Sequence, residues 1–337
     1  MSRRVRAIAL GVAVLVVAFV AGLLVGPVRI PPIDAVRWLV SFGDRPPGMS
    51  EQQAAILATL RLPRVLVAGL VGAALSASGA AYQAVFRNPL ADPYLLGAAA
   101  GAGLGATIAV AFGPTTAFAV TVPLAAFLGA VGGVGLAYGL GRSSLGGRSA
   151  TSLILGGIAV ASFLTAVQTF IQQQRSETLR QVYSWILGRL GTAGWDDARI
   201  AVPSVLIAVT TLWLVRRLLD VIEVGELEAE SLGLHVGRLR LVVVVAASLA
   251  TAAAVSVAGL IGFVGIIVPH TVRLLAGSSY RQVLPLSVLF GAAFLILVDL
   301  VARTAVAPAE IPIGVITAFV GAPFFVVALR RSGRRTA

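Results

Sequence analysis

Arg61-Leu-Pro-Arg-Val-Leu-Val-Ala-Gly-Leu-Val-Gly-Ala-Ala-Leu-Ser-Ala-Ser-Gly-Ala-Ala-Tyr-Gln-Ala-Val-Phe-Arg-Asn-Pro-Leu-Ala-Asp-Pro93 is the stretch whose reading decides the architecture. Beyond its opening arginines it stays uncharged and apolar to about Ala84, long enough to cross a bilayer at about 1.5 Å per residue. Its glycines, alanines and serines are the small residues that let membrane helices approach backbone to backbone. Similar runs recur along the chain. Ten candidate spans lie near 7–27, 62–84, 95–112, 116–139, 149–171, 199–219, 239–257, 265–276, 282–303 and 312–329. The eighth is too short to cross, so it is expected as a partial helix buried in protein or lining a cavity. The fold class is therefore all-α: one polytopic membrane domain over 1–337, with about ten transmembrane helices, one of them short or broken.

Composition agrees. The 337 residues are 58% hydrophobic and only 12% charged, too little charge to cover a soluble surface of this size. There is no Cys, which removes disulfides, thiolate metal sites and a Cys nucleophile. There is also no Lys, and all 26 basic residues are Arg. A P-loop needs its Lys on the phosphates, so ATP-driven work would need a separate ATPase chain. The net charge of +12 fits arginine collecting in cytoplasmic loops better than nucleic-acid binding, because no basic stripe is interleaved with aromatics.

The N-terminus reads Met1-Ser-Arg-Arg-Val-Arg before an apolar run from Ala7 to about Gly26. A signal peptide has a shorter apolar core and a small-residue cleavage site, so the run reads as the first span. With the N-terminus inside, the inner segments hold Arg3, Arg4, Arg6, Arg87, Arg142, Arg148, Arg216, Arg217, Arg238, Arg240, Arg273, Arg281, Arg330, Arg331, Arg334 and Arg335, which is 16 of 26. Both termini are then cytoplasmic in a multi-pass inner-membrane protein. The other 10 arginines lie outside and need a reason of their own.

Two connections are longer than turns. Residues 28–61 lie outside and carry a Pro/Gly break at Arg45-Pro-Pro-Gly. Residues 220–240 lie inside and hold most of the acid on that side, with Leu227, Leu232 and Leu234 offering short amphipathic faces. A fixed offset of 180 residues relates Ser76, Gly79, Pro89 and Gly97 to Ser256, Gly259, Pro269 and Gly277. An inverted repeat, common among transporters, would produce such an echo.

Catalytic constellations are missing. The two histidines, His235 and His270, form no His-Glu-x-x-His zinc motif. Asp299 is the acid set well inside a span, and such acids are functional suspects. Its simplest partner is Arg303 at i+4. His270 follows Pro269 at an expected helix break and reads as a packed side chain. An ion-coupled secondary transporter would want paired intramembrane acids, and an intramembrane enzyme would want a catalytic set.

The opening stretch resembles the signature of FecCD-type (BtuC-like) permeases, the membrane subunits of ABC importers for iron-siderophores, haem and vitamin B12. Tyr183-Ser-Trp-Ile-Leu-Gly, Gly259-Leu-Ile-Gly-Phe-Val-Gly-Ile-Ile-Val-Pro-His and Pro308-Ala-Glu-Ile-Pro-Ile-Gly-Val-Ile-Thr-Ala-Phe-Val-Gly-Ala-Pro-Phe-Phe resemble it further, in order along the chain. The resemblance implies a permease homodimer in membrane lipid, cytoplasmic ATPase subunits that hold the ATP and Mg, and an extracytoplasmic substrate-binding protein. No cofactor or metal is implied in this chain, and no bond is made or broken in it. An iron(III)-siderophore is the substrate expected first, with cobalamin or haem as alternatives. By the same resemblance Arg61, Arg64 and Arg303 receive carboxylates of the binding protein. Gly225, Glu226, Glu228, Glu230, Leu232, Gly233 and Gly237 form the ATPase-coupling segment. Gly79, Pro89, Gly259 and Pro269 mark helix breaks and close packing.

The arginine asymmetry predicts which loops face which compartment. In an otherwise Cys-free chain, a single Cys at position 146 is expected to resist an impermeant thiol reagent added outside, and one at Ser176 to react. Outside labelling at 146 would overturn this orientation.

Overall fold

The structure is a computed structural model that describes residues 3–41, 43–114, 117–143, 150–188 and 190–333, with side chains from residue 4 to residue 326. Gly146, Arg148, Arg334 and Arg335 lie outside the described residues.

Every regular element among the described residues is helical. Ten helices carry the apolar runs: α1 (Arg3–Leu24), α4 (Leu62–Val85), α5 (Ala98–Phe112), α6 (Phe118–Ser143), α7 (Ala150–Gln174), α9 (Trp195–Val224), α11 (Val236–Ala258), α12 (Val264–Ala276), α13 (Tyr280–Thr304) and α14 (Ile313–Gly333). Between them lie short connecting helices: α2 (Pro32–Val40), α3 (Glu51–Ala55), α8 (Leu179–Ile186) and α10 (Glu226–Ser231). A π-helical turn, Ile56–Arg61, joins α3 to α4. Seven helices are long and apolar enough to cross a membrane, and three shorter apolar ones make up the ten.

The stretch that opened the reading forms the centre of the bundle. From Val71 to Val85 every residue of α4 is buried. Its polar residues do not face lipid but bind three neighbours. The Ser76 hydroxyl reaches the Ser287 carbonyl of α13 at 2.6 Å, and Ser78 donates to the Ala247 carbonyl of α11 at 3.0 Å. Tyr82 shares a 2.7 Å hydrogen bond with Ser248 of α11, and Gln83 donates to the Gly265 carbonyl of α12 at 2.9 Å. Each such bond in a membrane interior is worth roughly 0.6–2 kcal/mol. Gly72 and Gly79 permit close approach, since a Cβ at either would lie 2.1 Å from a backbone oxygen, that of Gly291 or Gly265.

Two helices are short. At about 1.5 Å per residue, α5 and α12 each fall short of a bilayer's hydrocarbon thickness. Both follow a residue in the left-handed region, Gly97 (φ 79°) and Phe263 (φ 68°). The two loops entering them are stitched together. The Tyr94 hydroxyl donates to the Ile261 carbonyl and accepts from the Ile261 N–H, both at 3.1 Å. Irregular backbone at this depth is tolerated because its polar groups are satisfied within the protein. The short eighth span was expected; a second short helix, α5, was not.

The marked breaks need correction. α12 runs through Pro269, whereas the chain breaks before it, from Gly259 (φ 71°) to Phe263. Pro89 lies in the turn after α4 has ended. The 180-residue echo does not translate into matched roles either. Gly79 is mid-helix while Gly259 ends α11, and Gly97 precedes α5 while Gly277 ends α12.

Gly79→Val is expected to destabilise the fold by about 1–3 kcal/mol or more, because backbone atoms and no flexible side chain oppose the new Cβ. Gly132→Ala, with nothing within 4 Å of its Cβ position, is expected to cost nothing. Thermal unfolding of both variants in detergent checks the difference.

Candidate functional site

The described charged side chains gather at the two ends of the bundle. At one end α1, α4 and α13 meet, and the three arginines singled out from the sequence all lie there. Their placement is not the expected one. Arg61 is 4% exposed, Arg64 9% and Arg303 3%, so none stands as a free charge at a rim.

Each guanidinium has work inside the chain. Arg61 donates to the Leu23 and Leu24 carbonyls at 2.7 and 3.0 Å and also to the Val28 carbonyl. Arg303 donates to the Gly22 carbonyl at 2.5 Å. The last carbonyls of a helix have no partner of their own and carry negative partial charge, so two cations capping the end of α1 satisfy both needs. Arg64 forms the centre of an ion cluster. It reaches Asp299 of α13 at 2.8–3.0 Å through Nε and Nη2, and Glu310 at 2.8–2.9 Å through Nη1 and Nη2. Asp299 is 1% exposed. The expected pair with Arg303 exists, but at 3.8 Å it is the longer of the two ion pairs Asp299 makes.

Glu310 differs from the rest of the cluster. It sits on the connection between α13 and α14, and its side chain is 41% exposed. Hydrogen bonds from Arg64 hold its carboxyl below the usual glutamate range, against the upward push of partial burial. A carboxylate arriving from solvent would compete with Glu310 for the Nη atoms of Arg64. Beside this pair lies a cavity of about 170 Å³ that Ser184 and Thr192 also line. A second cavity of about 430 Å³, lined by Phe118, Arg180, Gln181 and Trp185, meets the first at Ser184 on α8.

The opposite end holds the acidic connection. α10 is fixed by a 2.6 Å ion pair between Glu226 and Arg240 of α11 and by the buried Ala229. Leu227 and Leu232 are left 80% and 76% exposed, and Glu228 and Glu230 are exposed beside them. Gly233 takes φ 81° where the chain turns into α11, while Gly225 and Gly237 bracket the segment.

Sequence reasoning gave no role to Asp220, Gln83 or Arg273, which organise the same end. Asp220, near the end of α9, accepts hydrogen bonds from the Tyr280 N–H at 2.5 Å and from the Ser279 hydroxyl at 2.9 Å. It thereby caps the start of α13 from another helix. Arg273 of α12 donates to the Gln83 side chain of α4. His270 packs its ring edge-on against Phe324 at 5.4 Å, and His235 precedes α11 at the surface.

Ten apolar helices among the described residues, two of them too short to cross, with ionised groups gathered at the ends, define a multi-pass membrane protein. The FecCD transport family matches residues 14–331, and the chain belongs to that family. It is 41% identical to the cobalamin import system permease protein BtuC of Halobacterium salinarum over 284 residues, 84% of this chain and 75% of that one. It is 36% identical to the iron(3+)-hydroxamate import system permease protein FhuB of Bacillus subtilis over 297 residues, 88% of this chain and 76% of that one. Among solved structures it resembles an inward-facing conformation of a metal-chelate type ABC transporter, with a TM-score of 0.83 and 30% identity over 95% of this chain and 97% of that one. It is a permease of a metal-chelate ABC importer family.

Asp299→Asn is expected to cost about 3–5 kcal/mol, because it leaves buried Arg303 without a carboxylate and buried Arg64 with Glu310 alone. Asp196→Asn, whose ion pair with Arg199 is exposed on both sides, is expected to cost about 0–1 kcal/mol. Thermal melts of the two variants separate the cases.

Proposed function

We propose that this chain is the membrane-spanning subunit of a binding-protein-dependent importer that carries an iron(III)-siderophore across the inner membrane. In this reading two copies form the pathway within the lipid bilayer, and both termini are cytoplasmic. Separate ATPase subunits bind ATP and Mg and meet the α10 end. An extracytoplasmic binding protein meets the Arg64 end.

One observation carries the division of labour. α10 is clamped to the bundle by Glu226–Arg240, yet Leu227 on it and Leu232 just after it are turned outward. Exposed leucines on a short helix among acids fit a docking surface better than a solvated turn. The 220–240 connection is thus the segment through which ATPase closure moves α9 and α11. At the other end, binding-protein carboxylates engage Arg64 by displacing Glu310, rather than by meeting three free arginines.

An iron(III)-siderophore is supported by relatives such as FhuB, and a cobalamin is favoured in turn by the identity with BtuC. Haem is a further member of this substrate class. Uptake of a radiolabelled ferric hydroxamate against radiolabelled cobalamin, in cells that depend on this permease, separates the first two. A secondary transporter fits poorly, because Asp299 is occupied by Arg64 and has no open face for a coupling ion.

Leu227→Asp with Leu232→Asp is expected to leave folding intact and to weaken ATPase-subunit binding by about tenfold or more, about 1.4 kcal/mol. Transport falls with it. Copurification and reconstituted uptake measure both, and normal values for both would remove the coupling assignment.

A further inference from the structure

The 28–61 connection contains a helix whose outward face is wrong for water. α2 buries Ala35 and Trp38 against a small core of Ile30, Met49 and Leu57. At about 100° per residue, Ile33, Val36 and Val40 fall on the opposite side within a narrow stripe. These three side chains are 60%, 43% and 71% exposed. A helix with one apolar face in a core and polar neighbours outward is the rule at a soluble surface. Here the outward stripe is apolar, and the exposed Arg37 flanks it.

Other exposed apolar side chains precede and follow α2 in the chain. Val16 and Val17 of α1 are exposed at mid-span, and Val25 and Val28 beyond its end are 46% and 45% exposed. Leu60, just before α4, is 60% exposed. The linker into α2 is held in place by hydrogen bonds to its carbonyls. Arg61 fixes the Leu23, Leu24 and Val28 carbonyls, and Gln53 reaches the Arg29 carbonyl at 3.5 Å. A groove of about 580 Å³ opens beside α2, lined by Leu24, Val25, Arg29 and Pro32. An apolar floor with a guanidinium at its edge matches a phospholipid, whose chain and phosphate are a few ångströms apart.

We propose that α2 is an interfacial helix, lying in the headgroup–acyl boundary at the Arg64 end with Ile33, Val36 and Val40 immersed and Arg29 and Arg37 toward lipid phosphates. The occupant of this face is the bilayer itself. The inference needs only that the chain spans a membrane, and it stands whichever substrate is carried.

The absence of native Cys makes the test direct. Single Cys residues at positions 33, 36 and 40 are labelled with a nitroxide, and the full chain is reconstituted in vesicles of phosphatidylcholine and phosphatidylglycerol with no other protein. Positions 45 and 51, exposed on the same connection, serve as water references, and position 17 serves as the mid-span reference. The ratio of collisions with oxygen to collisions with a water-soluble nickel chelate reports depth. Positions 33, 36 and 40 are expected to exceed the water references by about threefold or more and to fall below position 17. In the position-36 background, Ile33→Ser with Val40→Ser is expected to return the ratio to the water references without loss of folded protein, since both side chains are exposed. Ratios at 33, 36 and 40 equal to those at 45 and 51 would overturn the proposal. So would ratios that rise only when a purified binding protein is added, which would make α2 a protein-docking face.

Discussion

Arg64 holds the structure's most demanding contact. A single guanidinium, 9% exposed, satisfies two carboxylates that reach it from α13 and from the connection after it. Ionised groups out of water are costly unless paired with good geometry and further hydrogen bonds. Arg64 meets that condition by fork geometry, which an ammonium does not reproduce. The same constraint accounts for Arg61 and Arg303, whose cations lie on the carbonyls that α1 leaves open. Because the three arginines bridge α1, α4 and α13, the end of the bundle is fixed by charge where small residues alone would leave it loose.

Apolar packing does the rest, through small residues. In lipid there is no hydrophobic drive between helices, so close approach and hydrogen bonding take over. The serines, Tyr82 and Gln83 of α4 spend their hydrogen bonds on α11, α12 and α13, which is why this helix sits at the centre. α12 then packs against it while α5 packs against α6 and α7, and the irregular entries of these two short helices are joined through Tyr94. Non-helical backbone inside a bundle is a place where helices can shift without unfolding, as transporters require.

All ten apolar helices were legible in the chain, because each is an apolar run bounded by Pro, Gly or charge. The shortness of α12 was legible too, since its run is short. What stayed hidden depends on partners distant in sequence. Arg61 and Arg64 read as charges awaiting something outside, because nothing local shows that Leu23, Asp299 and Glu310 fold onto them. Glu310 carried a signal, being the one acid between the ninth and tenth spans, yet only its neighbours in space give it a role. The shortness of α5 was masked by a continuous apolar run, and its start is set by Gly97 and Tyr94 rather than by composition. Acidity and leucines marked 220–240, but the grip of Asp220 on α13 crosses to another helix.

α13 is held at both extremities by carboxylate links of opposite sense. At its start Asp220 of α9 receives its first N–H, and near its finish its own Asp299 is gripped by Arg64 of α4. From Tyr280 to Asp299 the helix rises about 28 Å between these points. A rod pinned in this way resists sliding along its axis, because translation by a single residue's rise pulls a charged contact apart at one end or the other. The motions left to it are pivots about either pin. α13 is therefore a strut rather than a piston, and a displacement of α9 at one face of the membrane is carried to the other face as a tilt.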